Sequence, residues 1–218
     1  MPEILKKKSN TWTPCKKFMK WENKMHIQHN HLTIRNATPD DAELLCRWWN
    51  DGKIMAHAGF PKGLNETPEN LRQSLTKDSD TTHRRHIIEH NNTPIGEMNY
   101  RNKGNNIAEI GIKICDFSHR EKGLGTTLLK LFINALFTEL GYQKIVLDTD
   151  VNNKRARHVY EHKLGFTCVG IREKAFRDQL GEWRSAVDYE LTAEKATADT
   201  IIIRKMEQKD IEGGLFFT

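Results

Sequence analysis

The spacing of hydrophobic and polar residues changes along this chain, and each change marks a structural element. Isoleucines recur at every second or third position from Ile107 to Ile114, which predicts a central β-strand. After Gly123 the apolar residues take the spacing of a helix that ends at Gly141, and they are Leu124, Leu128, Leu129, Phe132, Ala135, Leu136 and Leu140. The pattern therefore predicts a buried strand followed by a long helix in the middle of the chain.

Helix starts and turn residues predict the remaining elements. Thr38 is a candidate N-cap and Pro39 suits the first helical position, so a helix is expected from there to about Asp51. The other predicted elements are a strand at 32–35, a short surface helix at 67–76, a hairpin of strands 84–90 and 94–101 with an Asn-rich turn, a strand at 144–149, a helix at 153–164, and strands at 167–176 and 183–191. This order favours an α/β (α+β) fold with a mixed sheet and helices on both faces.

Charge is concentrated at the N-terminus. The formal net charge of the 218 residues is +5, and residues 1–25 hold seven lysines and two glutamates, so they carry the whole excess. Residues 26–218 have no net charge and so do not attract a nucleic-acid phosphate backbone. Nucleic acid would therefore have to bind the leader alone. We therefore expect no nucleic-acid partner.

The composition shift predicts three segments: a basic flexible leader at 1–30, a folded domain at 31–193 and a tail at 194–218. Met25 is an alternative start. The tail repeats an Ile-Arg pair with an aspartate six residues after the arginine, at Ile203 and Arg204 as at Ile34 and Arg35. This repeat suggests the truncated start of a second copy of the domain.

Composition also excludes several protein classes. The mean hydropathy is -0.69, no stretch approaches the roughly 18 apolar residues of a membrane helix, and residues 1–30 lack the apolar run of a secretory signal. The four cysteines contain no C-x-x-C pair, and His158 and His162 have ligand spacing but no evident third ligand. We expect a cytoplasmic protein with free thiols and no metal.

The segment between the predicted central strand and the long helix carries the chemistry. It contains Arg120-x-x-Gly123-x-Gly125, in which two glycines let the backbone bend closely and point its N–H groups outward at a helix start. The pattern predicts a diphosphate cradle that is neither a P-loop nor a three-glycine dinucleotide motif. An ordinary turn before a helix is the alternative.

This motif and a later Asn153-x-x-Ala156-x-x-x-Tyr160 helix ending at Gly165 resemble the GNAT superfamily of N-acetyltransferases over about residues 32–191. The resemblance implies a mostly antiparallel twisted sheet, with acetyl-CoA as co-substrate. Two segments, 47–51 and 66–71, also resemble the ribosomal-protein N-acetyltransferase branch, which acts on protein N-termini and small amines. We therefore expect an amine acceptor and no membrane partner.

The resemblance also implies a cofactor site. Backbone groups at the end of the central strand would hold the pantetheine arm, the amides around the motif would hold the diphosphate, and the start of the later helix would contact the acetyl linker. The residues concerned are Ile112, Lys113, Ile114, Arg120, Glu121, Lys122, Gly123, Leu124, Gly125, Thr126 and Asn153.

Two residues are implied as catalytic. Glu109 is the candidate base, which removes a proton from the amine through water, and a carboxylate must be desolvated to do so near neutral pH. Tyr160 is the candidate acid, because a phenol can donate a proton to the departing thiolate. The structural alternatives are an ion-paired glutamate and an aromatic core residue. The run from Tyr160 to Gly165 is one residue longer than the family pattern, which a helical bulge would absorb.

The leading hypothesis is an acetyl-CoA-dependent N-acetyltransferase acting by direct transfer to a primary amine. The alternative is a non-catalytic acyl-CoA-binding or sensing module, which retention of Glu109 and Tyr160 disfavours. Cys115 is a conceivable acyl acceptor near the expected sulfur, although a buried free cysteine is the commoner case. Homodimers are common among such proteins, but nothing in the sequence requires one. The candidate acceptor-contacting residues are Trp48, Trp49, Asp51, Glu66, Arg177 and Asp178.

Overall fold

The computed structural model describes residues 25–120 and 122–198, and a single eight-stranded sheet forms its centre. The strands are β1 (His26–His29), β2 (Leu32–Asn36), β3 (His83–His90), β4 (Thr93–Asn102), β5 (Ile107–Ile114), β6 (Lys144–Asp150), β7 (Thr167–Arg177) and β8 (Trp183–Thr192). Their spatial order is β1-β2-β3-β4-β5-β6-β8-β7, and every neighbouring pair is antiparallel except the parallel pair β5 and β6. The expected mixed, mostly antiparallel sheet is confirmed.

Helices cover both faces of this sheet. They are α1 (Ala42–Asn50), α2 (Gly52–Met55), α3 (Pro68–Leu75), α4 (Leu124–Thr138), α5 (Lys154–His158) and α6 (Ala193–Ala198), with single 3-10 turns at Pro39–Asp41, Ala56–Ala58 and Phe117–His119. Neighbouring residues of β3 show the two faces, because Ile87 packs with Leu45 of α1, whereas Ile88 packs in the same core as Phe132 of α4. Successive side chains along the strands thus pack in two hydrophobic cores, one on each face of the sheet.

Several elements coincide with those that the sequence predicts. The central strand has the predicted bounds, and α4 begins directly after Gly123. The Asn-rich hairpin turn consists of Asn91 and Asn92, both with positive φ (50° and 59°), as the tight turn between β3 and β4 requires. Thr67 caps α3 by accepting a hydrogen bond from the N–H of Asn70 at 3.2 Å.

The structure differs from the sequence analysis at both ends of the domain and in α3. His26–His29, assigned to the flexible leader, forms β1 and pairs with β2. This edge strand has only one apolar side chain, so it has little hydrophobic pattern to detect. The predicted surface helix α3 buries Leu71 and Leu75 against α1. At the other end, Ala196 of α6 is fully buried, within the segment that the sequence assigned to the tail.

Parts of the predicted organisation lie outside the described residues. These are the lysines of the leader, Cys15, Glu121 and the repeat at 202–211. Of the described helices, none is long and apolar enough to cross a membrane.

Candidate active site

The neighbouring strands β5 and β6 separate partway along their length. The last pair of their parallel register is Glu109 with Val146, and beyond it β5 runs to Ile114 and β6 to Asp150 without pairing to each other. On its other edge β5 stays paired with β4. Alternate backbone groups along the free edge therefore have no strand partner, and an extended ligand with amide groups can bond there. We call this opening the β5–β6 gap.

The residues predicted to hold a pantetheine arm, Ile112, Lys113 and Ile114, form the β5 side of the β5–β6 gap. One of their carbonyl oxygens is already used, because the Arg120 guanidinium donates to Ile114 O from Nε at 3.0 Å and from Nη2 at 2.8 Å. The same guanidinium lies over the Phe117 ring, with Cζ 3.7 Å from the ring centroid. Arg120 therefore ties the loop before α4 to the end of β5.

The N-terminus of α4 follows this loop. Gly123 is its N-cap with φ of 75°, a left-handed conformation that favours glycine, and its carbonyl accepts from the N–H groups of Thr126 and Thr127 at 3.1 and 3.2 Å. The first N–H groups of a helix lack intrahelical acceptors and lie at the positive end of its dipole. Lys122 and Leu124 complete the described part of this segment, and both come at the helix start as predicted.

Gly125 leaves open space beside the backbone at the start of α4. It lies in the first turn of α4 without positive φ, and a Cβ built on it would meet nothing within 4 Å. A helical glycine costs up to about 1 kcal/mol relative to alanine, and no described side chain occupies the space beside it. The open space is what the close approach of a diphosphate to the backbone needs.

Asn153 has a local structural role at the start of α5. Its Oδ1 accepts from the N–H of Ala156 at 3.2 Å, and its Nδ2 donates to Thr149 Oγ1 at 3.2 Å. Asn153 is thus the N-cap of α5, and it joins that helix to the end of β6.

A π-helical turn follows α5 and absorbs the extra residue. It covers Val159–Lys163, and the N–H of Leu164 bonds to the carbonyl of Val159, five residues earlier, at 3.0 Å. The predicted bulge is confirmed. Such turns insert one residue into a helix without disrupting the residues on either side.

Tyr160 lies in this π-helical turn and is buried. Its ring centroid lies 5.9 Å from that of Phe166 and 5.7 Å from that of Tyr189. Burial raises the pKa of Tyr160 to about 12, with smaller contributions from Asp148 and Tyr189. Its hydroxyl makes no hydrogen bond to any residue that the structure describes, so the donor is available to a ligand.

Glu109 stands at the vertex of the β5–β6 gap, in the last paired position. Its side chain is 37% exposed, and Lys103 Nζ lies 3.3 Å from its Oε2. In register it is opposite Arg101 of β4. Glu109 therefore lies at the inner end of the gap but is not desolvated as the sequence analysis required of a base, and its ion pair with Lys103 is the structural alternative that the sequence left open.

On the face that carries α1 to α3, a cavity of about 300 Å³ lies against β3, β4 and β5. Its walls include Trp49, Met55, Phe60 and Leu64, and its floor includes Arg85, Glu97, Arg101 and Lys113. Of the six candidate acceptor-contacting residues, Trp49 alone lines it. Asp51 caps α2 through Lys53 N at 2.7 Å, and Arg177 lies 4.6 Å from the Trp183 ring.

Glu97 is the residue of this cavity that the sequence analysis missed. Trp49 Nε1 donates to its two carboxylate oxygens at 2.9 and 3.0 Å, and Lys113 Nζ lies 2.9 Å from Oε1. The side chain is only 3% exposed. Glu97 precedes Met98, which packs in the core under α4, so Glu97 faces the opposite side; the bulge at Ile95 breaks the alternation before it, and α1 buries that opposite face, which a strand pattern does not reveal.

Cys115, at the end of β5, is buried and free. Burial, with a smaller effect of the Glu97 carboxylate, raises the pKa of its thiol to about 12. A thiolate is the nucleophilic form, so this environment opposes a covalent acyl intermediate on Cys115. Across residues 25–120 and 122–198, no three His, Cys, Asp or Glu side chains stand in a metal-binding arrangement.

Comparison with known proteins agrees with this geometry. A family model described as an acetyltransferase (GNAT) domain matches residues 31–167. The structure of spermidine N-acetyltransferase from Vibrio cholerae in complex with CoA and spermine is 25% identical, with a TM-score of 0.70, over 78% of this chain and 99% of that one. A GNAT-family acetyltransferase from Bacillus anthracis is 22% identical over 78% of this chain and 99% of that one, and its TM-score of 0.64 supports the fold.

Proposed function

Since this chain belongs to the acetyltransferase (GNAT) family, we propose that it transfers the acetyl group of acetyl-CoA to a primary amine by direct attack. It is an acetyl-CoA-dependent N-acetyltransferase. The observation that carries the direct route is the β5–β6 gap, which opens between a candidate base at its vertex and the glycine-containing start of α4. A linear thioester bound along the gap would meet both.

The cofactor would lie along the gap. The backbone of Ile112, Lys113 and Ile114 would bond the pantetheine amides, since this edge of β5 has no strand partner. The diphosphate would rest on the amides at the start of α4, and its charge would be met by the helix dipole, Lys122 and Arg120. Glu121 contributes its backbone in the same proposal. Asn153 holds the start of α5 against the end of β6 that does not pair with β5.

Glu109 would act as the base. Through a water molecule it accepts one proton from the acceptor ammonium, and the neutral amine then attacks the thioester carbonyl. A C–N bond forms, the tetrahedral intermediate loses the second amine proton to solvent water, and the C–S bond breaks to release the thiolate. The position of Glu109 at the last paired residue of β5 supports this role.

Tyr160 would donate to the leaving sulfur. The raised pKa keeps the phenol protonated across the physiological range, and its hydroxyl has no partner among the described residues. The thiolate takes up a proton at this point, and the tyrosine regains one from solvent. Free CoA and an N-acetyl product result.

We also propose membership of the ribosomal-protein N-acetyltransferase branch, with a protein N-terminus or a small amine as acceptor. The two segments that carry this resemblance meet in space. Asn50 Nδ2 donates to Glu66 O at 2.9 Å, and Glu66 N donates to Asn50 Oδ1 at 2.8 Å. The free thiols of Cys46, Cys115 and Cys168 are in keeping with a cytoplasmic location.

The test is calorimetric titration with acetyl-CoA, followed by a thiol-release assay on the same sample with amines and N-terminal peptides. Binding with thiol release supports the proposal. Binding without release for every acceptor would favour the acyl-CoA-sensing module, and no binding would contradict the proposed cofactor site.

A further inference from the structure

The cavity beside Glu97 adjoins the β5–β6 gap at Gly111. In register, β4 and β5 place Glu97 beside Lys113, Asn99 beside Gly111, and Arg101 beside Glu109, all on one face of the sheet. Trp49 of α1 covers this face at Glu97, whereas Arg101 is exposed. Gly111 has no side chain, and the Asn99 amide lies over it, with Nδ2 3.0 Å from where a Cβ of Gly111 would be. The single strand β5 therefore separates an acceptor held in the cavity from a thioester bound in the gap.

The carboxylate that lines this cavity, that of Glu97, already has hydrogen-bond and ion-pair partners. Glu97 accepts from the Trp49 indole and from Lys113, and it is the acidic residue among those lining the cavity. A buried ammonium without a carboxylate partner loses hydration that nothing restores. A polyamine would have to displace Lys113 from Glu97 to find a counter-charge here.

The remaining charged groups of the cavity leave it positive. Arg85 is neutralised by Asp78, with Nη2 2.6 Å from Oδ1, in a pair whose side chains are 5% and 3% exposed. Burial lowers the pKa of His83, which keeps this ring neutral at pH 7. Arg101 makes no ion pair with any described residue, and Glu109 opposite it pairs with Lys103 instead. One cation therefore faces the cavity uncompensated.

The walls favour an apolar body. Trp49, Met55, Phe60 and Leu64 contribute aromatic and aliphatic surface, and about 300 Å³ suits a small molecule. We propose that the acceptor is a small amine bearing an apolar or aromatic group and a carboxylate, as in an apolar α-amino acid, that Arg101 receives the carboxylate, and that polyamines are poor acceptors. This inference rests on the proposed function and names its acceptor class.

Binding of acetylated products tests the acceptor class without relying on turnover. The ligands are N-acetylphenylalanine, its amide and N1-acetylspermidine, titrated by calorimetry into protein saturated with CoA. We expect the acid to bind about tenfold more tightly than the amide, as a charge-assisted hydrogen bond provides, and acetylspermidine to bind most weakly. Equal affinity for acid and amide, or tightest binding of acetylspermidine, would overturn the inference.

Arg101→Gln tests the residue. It should reduce the preference for the acid to less than about twofold, whereas Arg72→Gln, which removes an exposed arginine of α3, should leave it unchanged. A preference that survives Arg101→Gln would overturn the role of Arg101. Melting curves check that both variants are folded.

Thiol release from acetyl-CoA, measured on the same protein with phenylalanine and spermidine, separates the two proposals. Release with spermidine above that with phenylalanine overturns the acceptor class and leaves the activity standing. If the acid binds about tenfold more tightly than the amide but no thiol is released, the proposed activity is overturned and the acceptor class is supported. If CoA does not bind, the titrations are run on the free protein, and the ratio of the acid and amide affinities is judged in the same way.

Discussion

Burial gives the two proposed catalytic side chains different chemistry. Tyr160 is 9% exposed and packs between Phe166 and Tyr189, so its phenol stays protonated and can only donate to a sulfur. Glu109 is 37% exposed and lies 3.3 Å from Lys103 Nζ, so its side chain has access to water. The proposed division into acid and base rests on these environments.

Tyr160→Phe should lower kcat by about 100-fold or more, because positioned proton donors contribute that much, while the Kd for acetyl-CoA stays unchanged. Steady-state kinetics and calorimetry check both. Tyr189→Phe is the matched control, since it removes a neighbouring buried hydroxyl that donates to Glu161. An unchanged kcat in Tyr160→Phe would mean that Tyr160 is an aromatic core residue without a catalytic role.

Glu109→Gln should lower kcat by about 100-fold and flatten the acid limb of the pH–rate profile, because the amide cannot accept the amine proton. Glu190→Gln serves as control, because Glu190 is 35% exposed and is likewise paired with a lysine, Lys144. A profile that keeps its acid limb would make the ion pair with Lys103 the whole role of Glu109.

His86 is fully buried between Tyr100 and Phe132, and neither ring nitrogen has a hydrogen-bond partner of acceptable geometry among the described residues. Burial lowers its pKa to about 3. An unfolded histidine binds a proton below about pH 6.5, whereas the folded one does not until about pH 3, so the unfolded state gains protons first. Its contribution to stability is complete above pH 6.5 and is lost as the pH falls through this window.

The free energy of unfolding should therefore fall by up to about 1.4 kcal/mol more per pH unit in the wild type than in His86→Leu between about pH 6 and 4. Urea denaturation at several pH values measures the difference. His162→Leu, at a 63% exposed position, should keep the wild-type slope. Parallel slopes for the wild type and His86→Leu would contradict the prediction.

At the scale of elements, the glycine at position 125 lowers the stability of the first turn of α4 and leaves the backbone there uncovered. Gly125→Ala should raise the free energy of unfolding by up to about 1 kcal/mol, because alanine favours helix and its Cβ meets open space. The same Cβ should weaken acetyl-CoA binding about tenfold or more by blocking the diphosphate. Thermal melts and calorimetry distinguish these opposite effects.

Gly170→Ala in β7 is the matched control, because its Cβ would also meet nothing within 4 Å. It should leave acetyl-CoA binding unchanged. Unaltered binding in Gly125→Ala would mean that the diphosphate lies elsewhere.

The π-helical turn at Val159–Lys163 is a second element whose departure from a regular helix positions the residues of the site. Its extra residue comes after Tyr160, so Tyr160 keeps its place in the helix while Phe166, beyond the turn, still packs against it. A regular helix of the same length would rotate the residues after the turn by about 100° relative to those before it.

At the scale of the molecule, the turn of the β7–β8 hairpin is hydrogen-bonded to the loop at residues 59–63, which lines the cavity. Gln179 Nε2 donates to Gly63 O at 2.7 Å, and its Oε1 accepts from Lys62 N at 2.8 Å. Its own N–H donates to Gly59 O at 3.0 Å. Residues distant in sequence thus position Phe60 and Leu64.

Gln179→Ala should raise the KM for the acceptor about three- to tenfold, because two hydrogen bonds that hold this loop are lost, while the Kd for acetyl-CoA is unchanged. Gln73→Ala, which removes an exposed glutamine hydrogen-bonded to Glu69 on α3, should change neither constant. Kinetics at saturating acetyl-CoA provide the measurement, and an unchanged KM would separate the hairpin from the acceptor site.

Most of the elements are local properties and could be predicted from the sequence. Periodicity and turn residues specified β5, the start of α4 and the Asn91-Asn92 turn, and the extra residue between Tyr160 and Gly165, relative to the family pattern, suggested a bulge. The glycine motif predicted an anion-binding backbone at the start of α4 for the same reason, because backbone conformation and helix dipoles act over a few residues.

Only the tertiary structure decided what depends on neighbours far along the chain. It showed that β5 and β6 part at Glu109, that α1 buries Glu97, and that Lys113 occupies the carboxylate of Glu97. Burial and ion pairing depend on which elements pack together, and a strand pattern records only which face a side chain is on. The charge left over in the cavity, and with it the proposed acceptor class, follows from that packing.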